Sequence, residues 1–183
     1  MDYIAFIAGL PEIDWDDRKL SLTVAEFREQ LKDYISGRDE RLIDLFFLPN
    51  DNAQVLRLLR KQEPDGALST VYPVKLLEDE TQEPDKTIPA YLREFITDFK
   101  EEHLRYDVSP ENVLSWMYYD YMMKADNQLV KRYAEFSMNL KNLVTALNAR
   151  KYGMEVAKEV GISQAQVSRL EKCALKSMRQ YLS

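Results

Sequence analysis

Histidine and cysteine are nearly absent from this 183-residue chain, where His103 and Cys173 each stand alone. A single histidine excludes a zinc site built on a histidine pair, and a single cysteine excludes an internal disulfide. Any Ser-His-Asp chemistry would have to use His103. It lies beside Glu101 and Glu102 and is expected to be a surface side chain. No Gly-x-Gly-x-x-Gly or Walker-type loop occurs. The expectation is therefore a protein that is not an enzyme and carries no cofactor and no metal. Long apolar runs are missing too: none reaches the roughly 18 residues that suggest a membrane span. No basic stretch precedes an apolar one at the N-terminus, so no signal peptide is expected. With one cysteine, these absences point to a cytoplasmic protein.

What is present is helical patterning. Apolar residues at 45% and charged residues at 31% suit a folded core. Thr23 and Glu26 have capping-box spacing, with Val24, Phe27, Leu31 and Tyr34 as one stripe and Gly37 as the expected stop. Leu42 to Phe47 predict a second helix that stops near Pro49. Asn50 or Asp51 would cap a third, with Val55, Leu56, Leu58 and Leu59 inward. Pro64 to Pro89 reads as loop around one short apolar segment, Val71 to Leu77.

Further on, Pro89 predicts the start of a helix carrying Leu92, Phe95 and Ile96, and Ser109-Pro110-Glu111 another. In the latter, Trp116, Tyr118, Tyr119 and Tyr121 read as core packing rather than a base-stacking platform. The longest periodic stretch holds Leu129, Val130, Tyr133, Phe136, Leu140, Leu143, Val144 and Leu147. Its apolar face is expected to be used within the body. Tyr3 to Ile7 fits strand and buried helix equally.

Charge divides the chain. Met154 to Ser183 carries five basic and three acidic residues, about +2, so the other 153 residues hold about −8 of the net −6. Only the C-terminal segment has the sign that favours nucleic acid. Its residues spell a helix-turn-helix. Val156, Ala157 and Val160 face inward, Gly161 makes the turn, Ile162 plugs the core, Ser163 caps the second helix, and Val167 and Leu170 follow inward. Outward lie Gln164, Gln166, Ser168, Arg169 and Lys172, with Lys176 further along one side, as candidate DNA-binding residues. Gln can pair with adenine and Arg with guanine in the major groove.

Met154 to Ala157 together with Gly161 to Lys172 resembles region 4.2 of sigma factors of the sporulation and general-stress type. The resemblance implies −35 promoter reading, with Ala165 at the groove as well and Arg169 as the strongest base contact, and contact with RNA polymerase. The preceding 153 residues are similar to something else. Tyr3 to Pro11, Arg41 to Leu59 and Glu135 to Gly153 resemble a Bacteroidetes family encoded with V-type (A/V-type) ATPase genes. That likeness implies a non-catalytic subunit of the C/d kind, with ATPase subunits as partners. The shift near Gly153 reads as a chimeric join, in preference to a natural truncation with a recruited helix-turn-helix. The expected fold is all-α: a helical body over 1–153 and a helix-turn-helix over 154–183. Duplex DNA and RNA polymerase are the alternative partners, through the tail.

Overall fold

The computed structural model describes residues 3–12, 22–85, 87–104 and 108–152. These form seven α-helices and, among the described residues, no strand: α1 (Tyr3–Gly9), α2 (Val24–Lys32), α3 (Gly37–Leu59), α4 (Val74–Gln82), α5 (Ala90–Lys100), α6 (Pro110–Met123) and α7 (Gln128–Tyr152). The all-α class is as the periodicity predicts. The helix-turn-helix expected over 154–183 lies outside the described residues, Cys173 included.

Local signals set several helix starts. Thr23 Oγ1 accepts from the Glu26 amide, and Glu26 Oε2 accepts from the Thr23 amide, completing the box. Ser109 Oγ accepts from the Asn112 amide, with Pro110 opening α6. Asn127 Oδ1 accepts from the amides of Leu129 and Val130 at the head of α7.

Other expectations give way. Gly37 does not close α2; it opens α3, which Ser36 caps. Tyr3 to Gly9, which fitted strand and helix equally, is helix, with Phe6 packed against Phe27 and Tyr34. The apolar segment after Val71 becomes α4, whose Leu77 is fully buried.

The largest correction is at Pro49. No break falls there, and α3 runs through it for 23 residues. Proline has no amide hydrogen, so the carbonyl of residue 45 loses its helical donor. The Tyr118 hydroxyl on α6 donates to the Leu45 carbonyl at 2.9 Å and replaces it.

With α3 continuous, Asn50 and Asp51 are not caps. They belong to a polar row that fastens the following loop. Asp51, fully buried, accepts from the amides of Val71 and Tyr72, both at 2.9 Å. Asn50 donates to the Ser69 carbonyl, Gln54 accepts from the Asp65 amide, and Arg57 donates to the Glu63 carbonyl. Arg28 of α2 bonds Asp44 and the Thr70 carbonyl and stacks over Phe47.

The core gathers where α3 meets α4, α5 and α6, and where α6 meets α5 and α7. Val55, Leu77, Leu92, Phe95, Ile96, Leu114 and Met122 fill it, with Val130 and Ala134 of α7 along one side. Tyr91 is buried with them, its hydroxyl bonded to Asn52.

Candidate interaction surface

Helix α7 carries more apolar positions than one buried stripe can use. Val130 and Ala134 face α6 and the core. Beside them Leu129, Tyr133, Phe136, Leu140, Val144 and Leu147 are exposed, from 73% at Leu129 to 40% at Leu140. Their spacing of four, three, four, four and three keeps them on one helix face. At 1.5 Å per residue the row runs roughly 27 Å along α7. Tyr133 is partly used: its ring meets Phe46 of α3 edge-on, with centroids 4.8 Å apart. The expectation that this face packs within the body is therefore wrong for six of its eight residues, Val130 and Leu143 being the buried two.

The adjacent side of α7 borders a cavity of about 490 Å³ between α6, α7 and the end of α5. Trp116, Leu104, Val113 and Met138 give it apolar walls, and Asp98, Asn112 and Lys141 give it polar groups. Lys141 Nζ donates to Ser115 Oγ at 2.6 Å. Its side chain still touches solvent, and partial loss of water at the cavity wall lowers its ammonium from the usual lysine range. Trp116 is 64% exposed, so the aromatic run of α6 divides. Tyr118 is buried as expected for core, whereas Trp116 faces out.

His103 follows the end of α5. Its ring Nδ1 lies 3.1 Å from the Glu101 carboxylate, and its side chain is exposed, as its acidic neighbours suggested. Among the described residues no cluster of three His, Cys, Asp or Glu side chains could hold a metal ion. None of their helices is long and apolar enough to cross a membrane. The candidate DNA-binding residues Gln164, Ala165, Gln166, Ser168, Arg169, Lys172 and Lys176 all lie outside the described residues.

Sequence reasoning missed the outer face of α7 as a surface. The signal was there in the adjacent pairs Leu129-Val130 and Leu143-Val144. Neighbours on a helix are about 100° apart, so two apolar neighbours repeated along it mark two faces.

The fold and this surface define an all-helical protein with an open apolar helix face. A family model matches residues 1–181, and the chain belongs to that family, described as "Protein of unknown function (DUF2764)". The match runs past Gly153, where the sequence reads as a join. A stretch of 29 residues is 76% identical to the RNA polymerase sigma-G factor of Clostridium acetobutylicum. It covers 16% of this chain and 11% of that protein, so the chain spans about a tenth of its curated relative. No solved structure matches.

Proposed function

We propose that this chain is a non-catalytic interaction protein that works by helix–helix contact through the outer face of α7. The exposed row from Leu129 to Leu147 carries this reading. Scattered surface leucines need no explanation, but six large apolar side chains in one row form a patch that water disfavours. An amphipathic helix is the complement that fits such a row, through anchors spaced three and four apart. The partners implied by the resemblance of the body are subunits of a V-type (A/V-type) rotary ATPase. The test is co-elution of the full chain with individually purified stalk subunits of that enzyme. Co-elution lost in Leu129→Glu and Phe136→Glu supports the reading. Co-elution indifferent to both changes, or none with any subunit, removes it.

A second reading is supported by the 29-residue match to a sigma factor. In it, the tail binds duplex DNA through Gln164 to Lys172, with the chain acting in transcription beside RNA polymerase. Fluorescence anisotropy of a duplex with a −35-like element, against a scrambled one, tests it at two salt concentrations. Preferential, salt-sensitive binding lost in Arg169→Ala supports it. Equal or absent binding to both duplexes counts against it.

A further inference from the structure

Two helix faces meet across the cavity between α6 and α7. On α6, Asn112, Trp116 and Tyr119 follow one another at helical spacing, and on α7 Met138, Lys141 and Thr145 do the same. The short turn 124–127 joins the two helices, so they run antiparallel and these faces oppose each other. Nearest the turn, Tyr119 and Met138 make an apolar floor. Further along, Ser115 and Lys141 stand opposite each other, with Nζ 2.6 Å from Oγ. Trp116, 64% exposed, presents its indole beside them.

The charge at this point is unbalanced. A lysine ammonium has three donors, and Ser115 takes one of them. Burial is the one cause that moves the Lys141 ammonium, and no carboxylate among the described residues offsets it. Asp98 is the one acid among the described wall residues, and it stands on α5, in neither of the facing helices. His103, the other basic group of the wall, lies against the Glu101 carboxylate. Thr145 spends its hydroxyl on the Lys141 carbonyl. The groups left to meet a guest are the Lys141 ammonium, the Ser115 hydroxyl and the Asn142 amide, above an apolar floor. The volume, about 490 Å³, is that of a small-molecule pocket.

We infer that this cavity binds a small organic acid with a flat aromatic body, its carboxylate on Lys141 and Ser115 and its ring between Trp116 and the floor of Tyr119 and Met138. Charge selects the class. A neutral guest would leave the ammonium without a counter-charge, and a cation would be repelled by it. A guest of several negative charges would meet Asp98 with only one lysine to hold it, so a monoanion fits best. The carboxylate takes the remaining Lys141 donors, where partial loss of water strengthens the pair. The indole and phenol rings favour a planar body, which stacks on them at little cost in conformational freedom. Lys141 and Thr145 lie on a different face of α7 from the row of Leu129 to Leu147, so this site does not depend on the function proposed for that row.

Isothermal titration calorimetry of the full chain with 2-naphthaleneacetate and 2-naphthaleneacetamide tests this. The two probes share a body and differ in charge. The parent should bind the acid saturably and at least roughly tenfold more tightly than the amide. Lys141→Met keeps the apolar stem and should abolish that preference, whereas Lys141→Arg, which keeps the charge, should retain it. Trp116→Ala, on an exposed side chain, should weaken both probes alike. Leu129→Glu with Phe136→Glu, on the outer face of α7, should change neither affinity. Circular dichroism confirms that each variant folds. Absence of saturable binding of the acid by the parent overturns the inference. So does equal binding of acid and amide, or a preference that survives Lys141→Met. Binding lost in the Leu129→Glu/Phe136→Glu variant overturns it too, because the acid would then sit on the outer row. None of these outcomes bears on co-elution with a helical partner, so the proposed function stands or falls separately.

Discussion

The Tyr118 hydroxyl donates at 2.9 Å to the carbonyl of Leu45, the group that Pro49 deprives of its helical partner. One hydrogen bond between α6 and α3 thus lets a proline sit at the middle of a 23-residue helix. Tyr118→Phe should cost about 1–2 kcal/mol, because it strands a carbonyl with little access to water. In a Pro49→Ala background the amide of residue 49 supplies the donor, and the same change should cost less. A double-mutant cycle by urea denaturation should show coupling of about 1 kcal/mol. Additive costs would mean that the hydroxyl is not filling the gap.

Asp51 sets a pH dependence. Burial pushes its carboxyl up to about 6, against the pull of the Val71 and Tyr72 amides that bond it. The ordinary value is 3.8. The folded state therefore holds a proton that the unfolded state has released between roughly pH 4 and 6. Stability from this group falls as pH rises through that window and is level above it. The span is on the order of 3 kcal/mol. Glu26, Glu29 and Glu111 are held low and slope the other way. The check is thus the difference in unfolding free energy between parent and Asp51→Asn from pH 4 to 7. That difference should change across the window, with the parent losing ground as pH rises.

Two helices stop on a left-handed residue that is not glycine. Lys61 follows α3 and Glu102 follows α5, both at φ 57. Each completes a left-handed cap: the Gln62 amide donates to the Arg57 carbonyl and the His103 amide to the Asp98 carbonyl, both at 2.9 Å. A side chain in this conformation costs about 1–2 kcal/mol, which glycine avoids at some expense in chain entropy. Lys61→Gly and Glu102→Gly should each stabilise the fold by a net of about 0.5–1 kcal/mol and so raise the thermal midpoint. Calorimetry of the two variants checks this.

The buried and exposed faces of α7 should respond differently. Ala134 is fully buried where α7 joins the core, and Ala134→Leu should cost about 1–3 kcal/mol by overpacking. Leu129→Ala, on a side chain 73% exposed, should change stability by less than about 0.5 kcal/mol. Chemical denaturation of the two variants distinguishes a packing face from a surface one.

What the sequence made legible was local. The box at Thr23 and Glu26, the start at Ser109-Pro110 and the apolar spacing of α5 depend on residues within a turn of one another. What it hid depends on distant partners. Pro49 reads as a stop because its remedy comes from Tyr118, whose hydroxyl reaches a carbonyl 73 residues away in the chain. Gly37 reads as a stop because glycine favours left-handed caps, yet Lys61 and Glu102 take those positions once packing holds them. The outer face of α7 was hidden by counting: its apolar residues were assigned to one stripe, and the body uses a neighbouring one. Trp116 was missed alike, since spacing places it among core tyrosines and packing leaves it outside.

The role proposed for the outer face of α7 is to bind a helical partner, with V-type ATPase stalk subunits as the proposed partner class. Isothermal titration calorimetry of the full chain against each purified subunit tests it, with Leu129→Glu/Phe136→Glu beside the parent. The expected result is binding by the parent with a negative heat-capacity change, as apolar burial requires, and at least roughly tenfold weaker binding by a variant that still folds. Binding equal in parent and variant, or no binding by the parent to any subunit, would contradict it.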